Sequence, residues 1–237
     1  MGRQYYDLHL HSCLSPCGDD DMTPNDLVNM AMLNGLSVIA LTDHNSCGNC
    51  AAAMKAAERA GIILVPGMEL TTAEEIHVVC LFPDLESALR FDAMVYDRIP
   101  PVKNRKEIFG NQYFRNEEDE ITGEEEKLLI LATDIGIYDV PALAEAYGGI
   151  AVLAHIDRHS NSVLGVLSDI DPLMGFRLAE VSRAADPAYY KERYGFLRFL
   201  NSSDAHDLLT IGEPGKSNYW EGNCKTAADV IEKLKEL

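Results

Sequence analysis

The sequence predicts an α/β fold on three observations. Apolar runs alternate with amphipathic stretches, the amphipathic stretches carry helix start and stop signals, and five of the seven histidines (His9, His11, His44, His155 and His206) fall at or just past the C-terminal ends of the apolar runs. Alternation of this kind belongs to strands linked by helices. The C-terminal rim of such strands is where connecting loops aim side chains from several strands at one point.

Taken in order, residues 5–11 are the first expected strand. Thr23 then Pro24 is a helix start, an N-cap followed by proline at the first helical position, and Gly35 stops the helix of residues 25–34. Residues 36–41 are a buried strand ending in Thr42-Asp43-His44-Asn45, residues 50–60 an Ala-rich helix stopped by Gly61, and residues 62–66 a third strand leading to Gly67-Met68-Glu69. A fourth strand, residues 76–82, follows directly, and a helix over residues 84–98 ends at Pro100-Pro101. The alternation then lapses. Residues 108–114, the acidic stretch Asn116-Glu117-Glu118-Asp119 and a return through Ile121 read as a β-hairpin, followed by a helix over residues 124–133. Residues 100–135 are accordingly an expected insertion and a candidate arm for a homodimer. The cycle resumes with a helix over residues 140–147, strands over 149–154 and 176–181, a helix over 186–194, a strand over 196–201 and a C-terminal helix over 226–237.

At 237 residues the chain fits one domain, since single α/β barrels commonly reach this size. No apolar run is long enough for a membrane span and the first residues carry no signal-peptide core, so a cytoplasmic protein is expected. The net charge of −18 repels long nucleic acid unless cations reverse the field locally. Six cysteines in such a chain point to reduced thiols or metal ligands rather than a disulfide scaffold.

The histidines carry the chemistry. On a strand, His9 and His11 share a face with Leu10 on the other, so two imidazoles one pleat apart suit a chelate, with Asp7 placed to orient one ring. Asp43 precedes His44 and offers either a ligand or an outer partner that orients one. Glu69 can bridge two metals through its two oxygens. His77 faces inward from the fourth strand, His155 ends the strand of residues 149–154, and Asp204 and His206 end the last one. His159 lies four residues past His155 in a loop and is left unassigned.

The ordered set DLHLHS, LTDHN, GMEL then EIHVV, LAHID and SSDAH resembles the PHP superfamily, named for polymerase and histidinol phosphatase domains. The resemblance spans His9 to His206. It implies a distorted seven-stranded (βα) barrel with two or three divalent metal ions, zinc, manganese or iron, at the strand C-termini, and metal-dependent hydrolysis of phosphoesters by a metal-activated water. Carried over by motif, a first ion takes His9, His11, Glu69 and Asp204, a second takes Glu69, His77 and His155, and a third takes His44 and His206. The family usually adds one more ligand to the third from the loop after the first motif. Here that loop departs from the pattern and offers Cys17, Asp19 or Asp20: counting back from Thr23-Pro24 favours Asp19, counting forward from His11 favours Cys17. A thiolate there favours zinc or iron, a carboxylate also suits manganese. Cys13 and Cys17, with Cys47 and Cys50 on the adjoining loop, are candidates for a separate zinc site or a redox-sensitive rim.

The expected substrate is a small phosphorylated molecule: a phosphomonoester, a nucleotide or a short oligonucleotide. Arg158 and Arg183, both after strands, are candidate phosphate clamps. An exonuclease-type activity on single-stranded nucleic acid is the competing reading, and it wants a basic track that this acidic sequence lacks. A non-catalytic metal-binding regulatory module is the third, opposed by the retention of all eight ligand types.

Overall fold

The structure, a computed structural model, describes residues 2–182, 185–215 and 218–237. Its strands are β1 (Arg3–Leu10), β2 (Val38–Leu41), β3 (Ile63–Thr71), β4 (His77–Leu81), β5 (Tyr113–Arg115), β6 (Ile121–Glu124), β7 (Ile150–Leu153), β8 (Leu178–Val181), β9 (Arg198–Asn201) and β10 (Tyr219–Glu221). Its helices are α1 (Pro24–Leu33), α2 (Cys50–Ala60), α3 (Leu85–Tyr96), α4 (Lys106–Phe109), α5 (Val140–Ala146), α6 (Val163–Leu167), α7 (Pro187–Arg193) and α8 (Ala227–Lys235).

The main sheet runs β10-β1-β2-β3-β4-β7-β8-β9. Beyond β9, Ala205 bridges to Leu10 in parallel, which draws the far edge back to β1 and curls seven strands into a ring at their upper rim. The eighth strand of the sheet, β10, is one the sequence pattern did not reveal. It pairs antiparallel with the lower end of β1 and seats Trp220 flat on Tyr6, ring centroids 4.6 Å apart.

Side-chain alternation sorts the apolar residues into two layers. Tyr6, Leu8, Val38, Ala40, Val65, Val79, Leu81, Val152, Leu178 and Leu200, drawn from all seven ring strands, fill the barrel, and Val230, Ile231 and Leu234 of α8 join them from below. Their neighbours Ile39, Leu41, Met68, Leu70, Val78 and Cys80 face outward under α1, α2 and α3. The same parity places Glu69 above Val65, His77 below Val79 in sequence and Glu180 after Leu178, all on the inner face.

Two local features aim the remaining site residues. Tyr6 and Leu8 belong to the inner layer but Leu10 to the outer one, so the phase of β1 flips between them, where its register against β2 shifts. A bulge of this kind re-aims side chains beside active sites, and here it turns His9 and His11 inward. β4 is antiparallel to both β3 and β7, so its first residue, His77, lies at the rim where the parallel strands end.

The insertion differs from expectation. Ile108 lies in α4, and the hairpin is shorter, Tyr113–Arg115 against Ile121–Glu124. The helix expected over residues 124–133 is absent. Side chains from elsewhere hold that segment out of a helix: Gln112 Nε2 donates to the carbonyls of Glu125 and Lys127, and Asn45 Nδ2 to those of Leu129 and Leu131. Nor does the hairpin project as an arm. Asp119 at its tip accepts from Thr23 Oγ1 and the Asn25 N–H at the start of α1, and Glu117 pairs with Lys55 of α2. No helix among the described residues is long and apolar enough to cross a membrane.

Candidate metal centre

Glu69 is the hub. Its Oε1 lies 3.2 Å from His9 Nε2, 2.9 Å from His77 Nδ1 and 3.0 Å from His155 Nε2; its Oε2 lies 3.3 Å from His11 Nε2 and 3.0 Å from His44 Nδ1. Asp204 Oδ1 approaches His9 Nε2 at 3.4 Å and His11 Nε2 at 3.1 Å. His9 and His11 bring their Nε2 atoms within 3.2 Å of each other. His206 stacks on His11 with centroids 4.2 Å apart. Two of the rim residues reach this point through backbone that side chains rarely adopt, His155 at φ 27° and Asp204 at φ 53°; such conformations persist where the surroundings impose them and cluster at functional sites.

Among the described residues, three groups gather donor atoms that all lie within 4.8 Å of one another: His9, His11, Glu69 and Asp204; His44, Glu69 and His77; and His11, His44 and His206. The first is the set the family pattern assigns to one ion. In the second, His44 joins Glu69 and His77, and His155, which contacts the same Oε1 as His77, lies outside the group. In the third, His11 rather than a loop residue accompanies His44 and His206.

The donor set fits divalent cations. Buried polar atoms are normally hydrogen-bonded, yet His44 Nδ1, His77 Nδ1, His155 Nδ1 and Asp204 Oδ1 have no such partner. The His44 and His77 nitrogens sit at contact distance from Glu69 without making a hydrogen bond, which is how atoms ligating a shared ion are disposed. Burial opposes protonation of His9, but Glu180, Asp204 and Glu69 outweigh it and raise His9 well above the ordinary value. Burial is likewise outweighed at His11 by the close carboxylates of Asp204 and Glu69, which raise it to about 9. Burial prevails at His44 and His206 and lowers them to about 3 and about 4. Burial would raise Glu69 and Asp204, but the surrounding imidazoles, His77 and His9 foremost, hold both carboxyls far down.

The outer partners differ from expectation. The carboxylate at His9 Nδ1 is Glu180, at 3.1 and 3.3 Å, while the oxygens of Asp7 accept the Ser203 and Gly212 N–H groups. Asp43 lies one step out: it accepts from Ser12 N, Ser12 Oγ and Ser15 Oγ, and Ser15 Oγ in turn contacts His11 Nδ1. Glu180 and Ser15 escaped the sequence reading. The available signal was an acidic residue inside the apolar run Leu178-Ala179-Glu180-Val181, two residues on from an inward Leu.

Arg158 reaches the cluster, its Nη1 2.5 Å from Asp204 Oδ2 and its side chain 45% exposed. Arg183 lies outside the described residues. Asp19 is exposed and belongs to none of the three donor groups; its N–H donates to the carbonyl of His206. Asp20 is engaged by Asn111 Nδ2. Cys17 is solvent-accessible, but desolvation of its sulfur and the field of Glu69 push the thiol up to about 12. The four loop cysteines do not assemble a metal site among the described residues: no donor group contains one, and Cys47 and Cys50 point their sulfurs at the carbonyl of Gly67 in the outer core.

The sequence profile of the PHP domain matches residues 7–234. A 5'-3' exoribonuclease from Haemophilus influenzae is 40% identical over 79 residues, 32% of this chain and 28% of that protein. A 3',5'-nucleoside bisphosphate phosphatase from Chromobacterium violaceum is 37% identical over 73 residues, 31% of this chain and 25% of that protein. The match therefore spans little more than a quarter of these curated relatives' length. Among solved structures, the lesion-specific endonuclease PfuEndoQ from Pyrococcus furiosus superposes with a TM-score of 0.74 at 16% identity, covering 100% of this chain and 56% of that one, a likeness of fold. With a matching profile across nearly its whole length and the corresponding barrel beneath it, the chain belongs to the PHP domain family.

Proposed function

We propose that the chain is a metal-dependent phosphoesterase, a phosphoric ester hydrolase acting on a small phosphorylated substrate such as a phosphomonoester, a nucleotide or a short oligonucleotide. The observation that carries this reading is the gathering of five imidazole nitrogens around the two oxygens of Glu69, with Asp204 beside them. His9, His11, Glu69 and Asp204 would hold one divalent ion; Glu69, His77 and His155 a second, with His44 at the other oxygen of Glu69; His44 and His206 a third. Imidazole and carboxylate donors together suit zinc, manganese or iron. Such ions supply Lewis acidity toward phosphoryl oxygens and make water a nucleophile at neutral pH.

The chain's own residues do the rest. Glu69 joins neighbouring sites and keeps their charges close. Asp204 faces the cluster with Oδ1 and holds Arg158 with Oδ2, so a part-exposed guanidinium stands beside the donor cluster, where it would meet a bound phosphate. Arginine suits that task because its planar fork matches a phosphate. The names of the relatives, a bisphosphate phosphatase and an exoribonuclease, agree on phosphoester substrates of nucleotide type.

The test is a panel: chain loaded with Mn(II) or Zn(II), offered p-nitrophenyl phosphate, bis-p-nitrophenyl phosphate, nucleoside mono- and bisphosphates and a 5'-phosphorylated single-stranded RNA. Hydrolysis of one of the small substrates, abolished by chelation and restored by metal, is the expected result. A fully loaded chain that hydrolyses none of the panel overturns the reading, and hydrolysis of the RNA alone replaces it with the exonuclease-type one.

A further inference from the structure

We propose that Glu180 and Ser15 are positioning residues, each holding the Nδ1–H of one imidazole of the His9-Leu10-His11 pair so that both Nε2 atoms face a single cation. The inference rests on reading the cluster as a cation site.

The argument is a count of protons. An ionised carboxylate only accepts hydrogen bonds. Glu180, 2% exposed on the inner face of β8, places its oxygens 3.1 and 3.3 Å from His9 Nδ1, so that nitrogen donates. Ser15 has one hydroxyl proton, and Asp43 Oδ1 takes it at 2.7 Å. The backbone N–H of His44 already donates into the same oxygen at 3.1 Å. What Ser15 Oγ turns toward His11 Nδ1, 3.0 Å away, is therefore a lone pair, and His11 must donate as well. Asp43 is itself fixed by the N–H and hydroxyl of Ser12, at 2.7 and 2.6 Å, so the direction of the Ser15 proton is not free to reverse.

Each ring thus has its Nδ1 proton committed outward and its Nε2 directed at Glu69, Asp204 and the other ring. A ring held as the opposite tautomer would present an N–H where a lone pair must meet the ion. The two partners differ in kind. Glu180 presents a carboxylate to His9; Ser15 presents a neutral hydroxyl to His11 and fixes geometry alone. Outer partners of metal-bound histidines typically contribute about 10–100-fold in affinity.

The experiment uses the full chain stripped of metal, in wild-type form and as Glu180→Gln, Ser15→Ala and Ser15→Thr, titrated with Zn(II), with 15N NMR of the histidine rings in the zinc-loaded state. In the wild type, His9 and His11 should keep protonated Nδ1 and carry zinc on Nε2. Ser15→Ala should weaken zinc binding about tenfold and speed solvent exchange of the His11 Nδ1 proton, and Ser15→Thr should restore both. Glu180→Gln keeps an acceptor but loses the charge, so the His9 tautomer should persist while zinc binding weakens by a similar factor. This isosteric variant keeps the test decisive if Ser15→Ala fails to fold. Zinc on Nδ1 of either ring, or folded variants that bind zinc as the wild type does, overturns the inference and leaves the cation site standing. A wild type that binds no zinc and no manganese overturns the cation site itself, a distinguishable result.

Discussion

At the scale of single residues, Glu69 and the protons around it govern the site. Among the described residues, Glu69 is the one carboxylate in contact with His9, His11, His44, His77 and His155 together. Glu69→Gln keeps the shape and removes the charge that makes neighbouring cations compatible. Metal content measured by elemental analysis should fall below one ion per chain, and phosphoesterase kcat should drop by more than about a hundredfold, beyond the range seen for outer partners; full metal content in this variant would refute the hub role. The protons give a second expectation. The carboxylates of Asp204 and Glu69 outweigh burial and push His11 up to about 9, above the ordinary value of about 6.5. A raised folded value means that the stability from this proton is fully present below about 6.5 and is lost as pH rises through about 9. A cation must displace it, so metal affinity should rise with pH across that window, and at pH 7.5 binding should release protons. Calorimetric titration in two buffers of different ionisation enthalpy reads the number directly; a binding heat independent of buffer would contradict it.

At the scale of elements, the folded-back hairpin does structural work on α1. Thr23 caps the helix through the Asp26 N–H, and Asp119 reaches across from the hairpin tip to take the Asn25 N–H that Thr23 leaves free. Asp119→Ala should cost about 1 kcal/mol, the usual worth of a helix cap, while Asp119→Asn, which keeps an acceptor and tolerates the φ of 61° there, should cost less. Urea unfolding of the two variants checks the order, and equal losses would remove the capping role. The same region shows where the sequence was legible and where it was not. Thr23-Pro24 and the Gly35 stop are local signals, and α1 lies where they put it. The motifs DLHLHS, LTDHN and SSDAH are local too, which is why the donor residues were readable before their assembly was. Residues 124–133 misled because helix propensity is a weak local preference, overridden here by Gln112 and Asn45 seizing the carbonyls from a distance. Glu180 was illegible for a related reason: its partner His9 lies 171 positions away, and only closure of the barrel makes them neighbours. Likewise the inward aim of His9 depends on a register shift that period-two alternation alone does not announce.

At the scale of the whole molecule, charge decides which phosphorylated substrates can be drawn in. The chain carries 38 acidic against 20 basic residues. Many described cations are already paired at the surface, Arg3 with Glu221, Arg98 with Asp134, Lys106 with Glu124 and Arg193 with Asp169 among them. Binding of single strands without sequence preference needs a positive groove along the backbone, and the acidic excess opposes one. Attraction for phosphate should be confined to the metal cluster and Arg158, within about a Debye length, roughly 8 Å at physiological salt. Each backbone phosphate neutralised on a single strand contributes about −0.7 to the slope of log affinity against log salt. A site that grips one or two phosphates should therefore show a slope no steeper than about −1.5. With metal-loaded chain, kcat/KM for a 5'-phosphorylated dinucleotide and for an RNA of about twenty nucleotides should be similar, because the additional phosphates meet an acidic surface. Measuring both lengths between low and high salt tests this directly: a much faster reaction on the long strand, with a slope of about −3 or steeper, would mean that a basic track exists and that the physiological substrate is a polynucleotide.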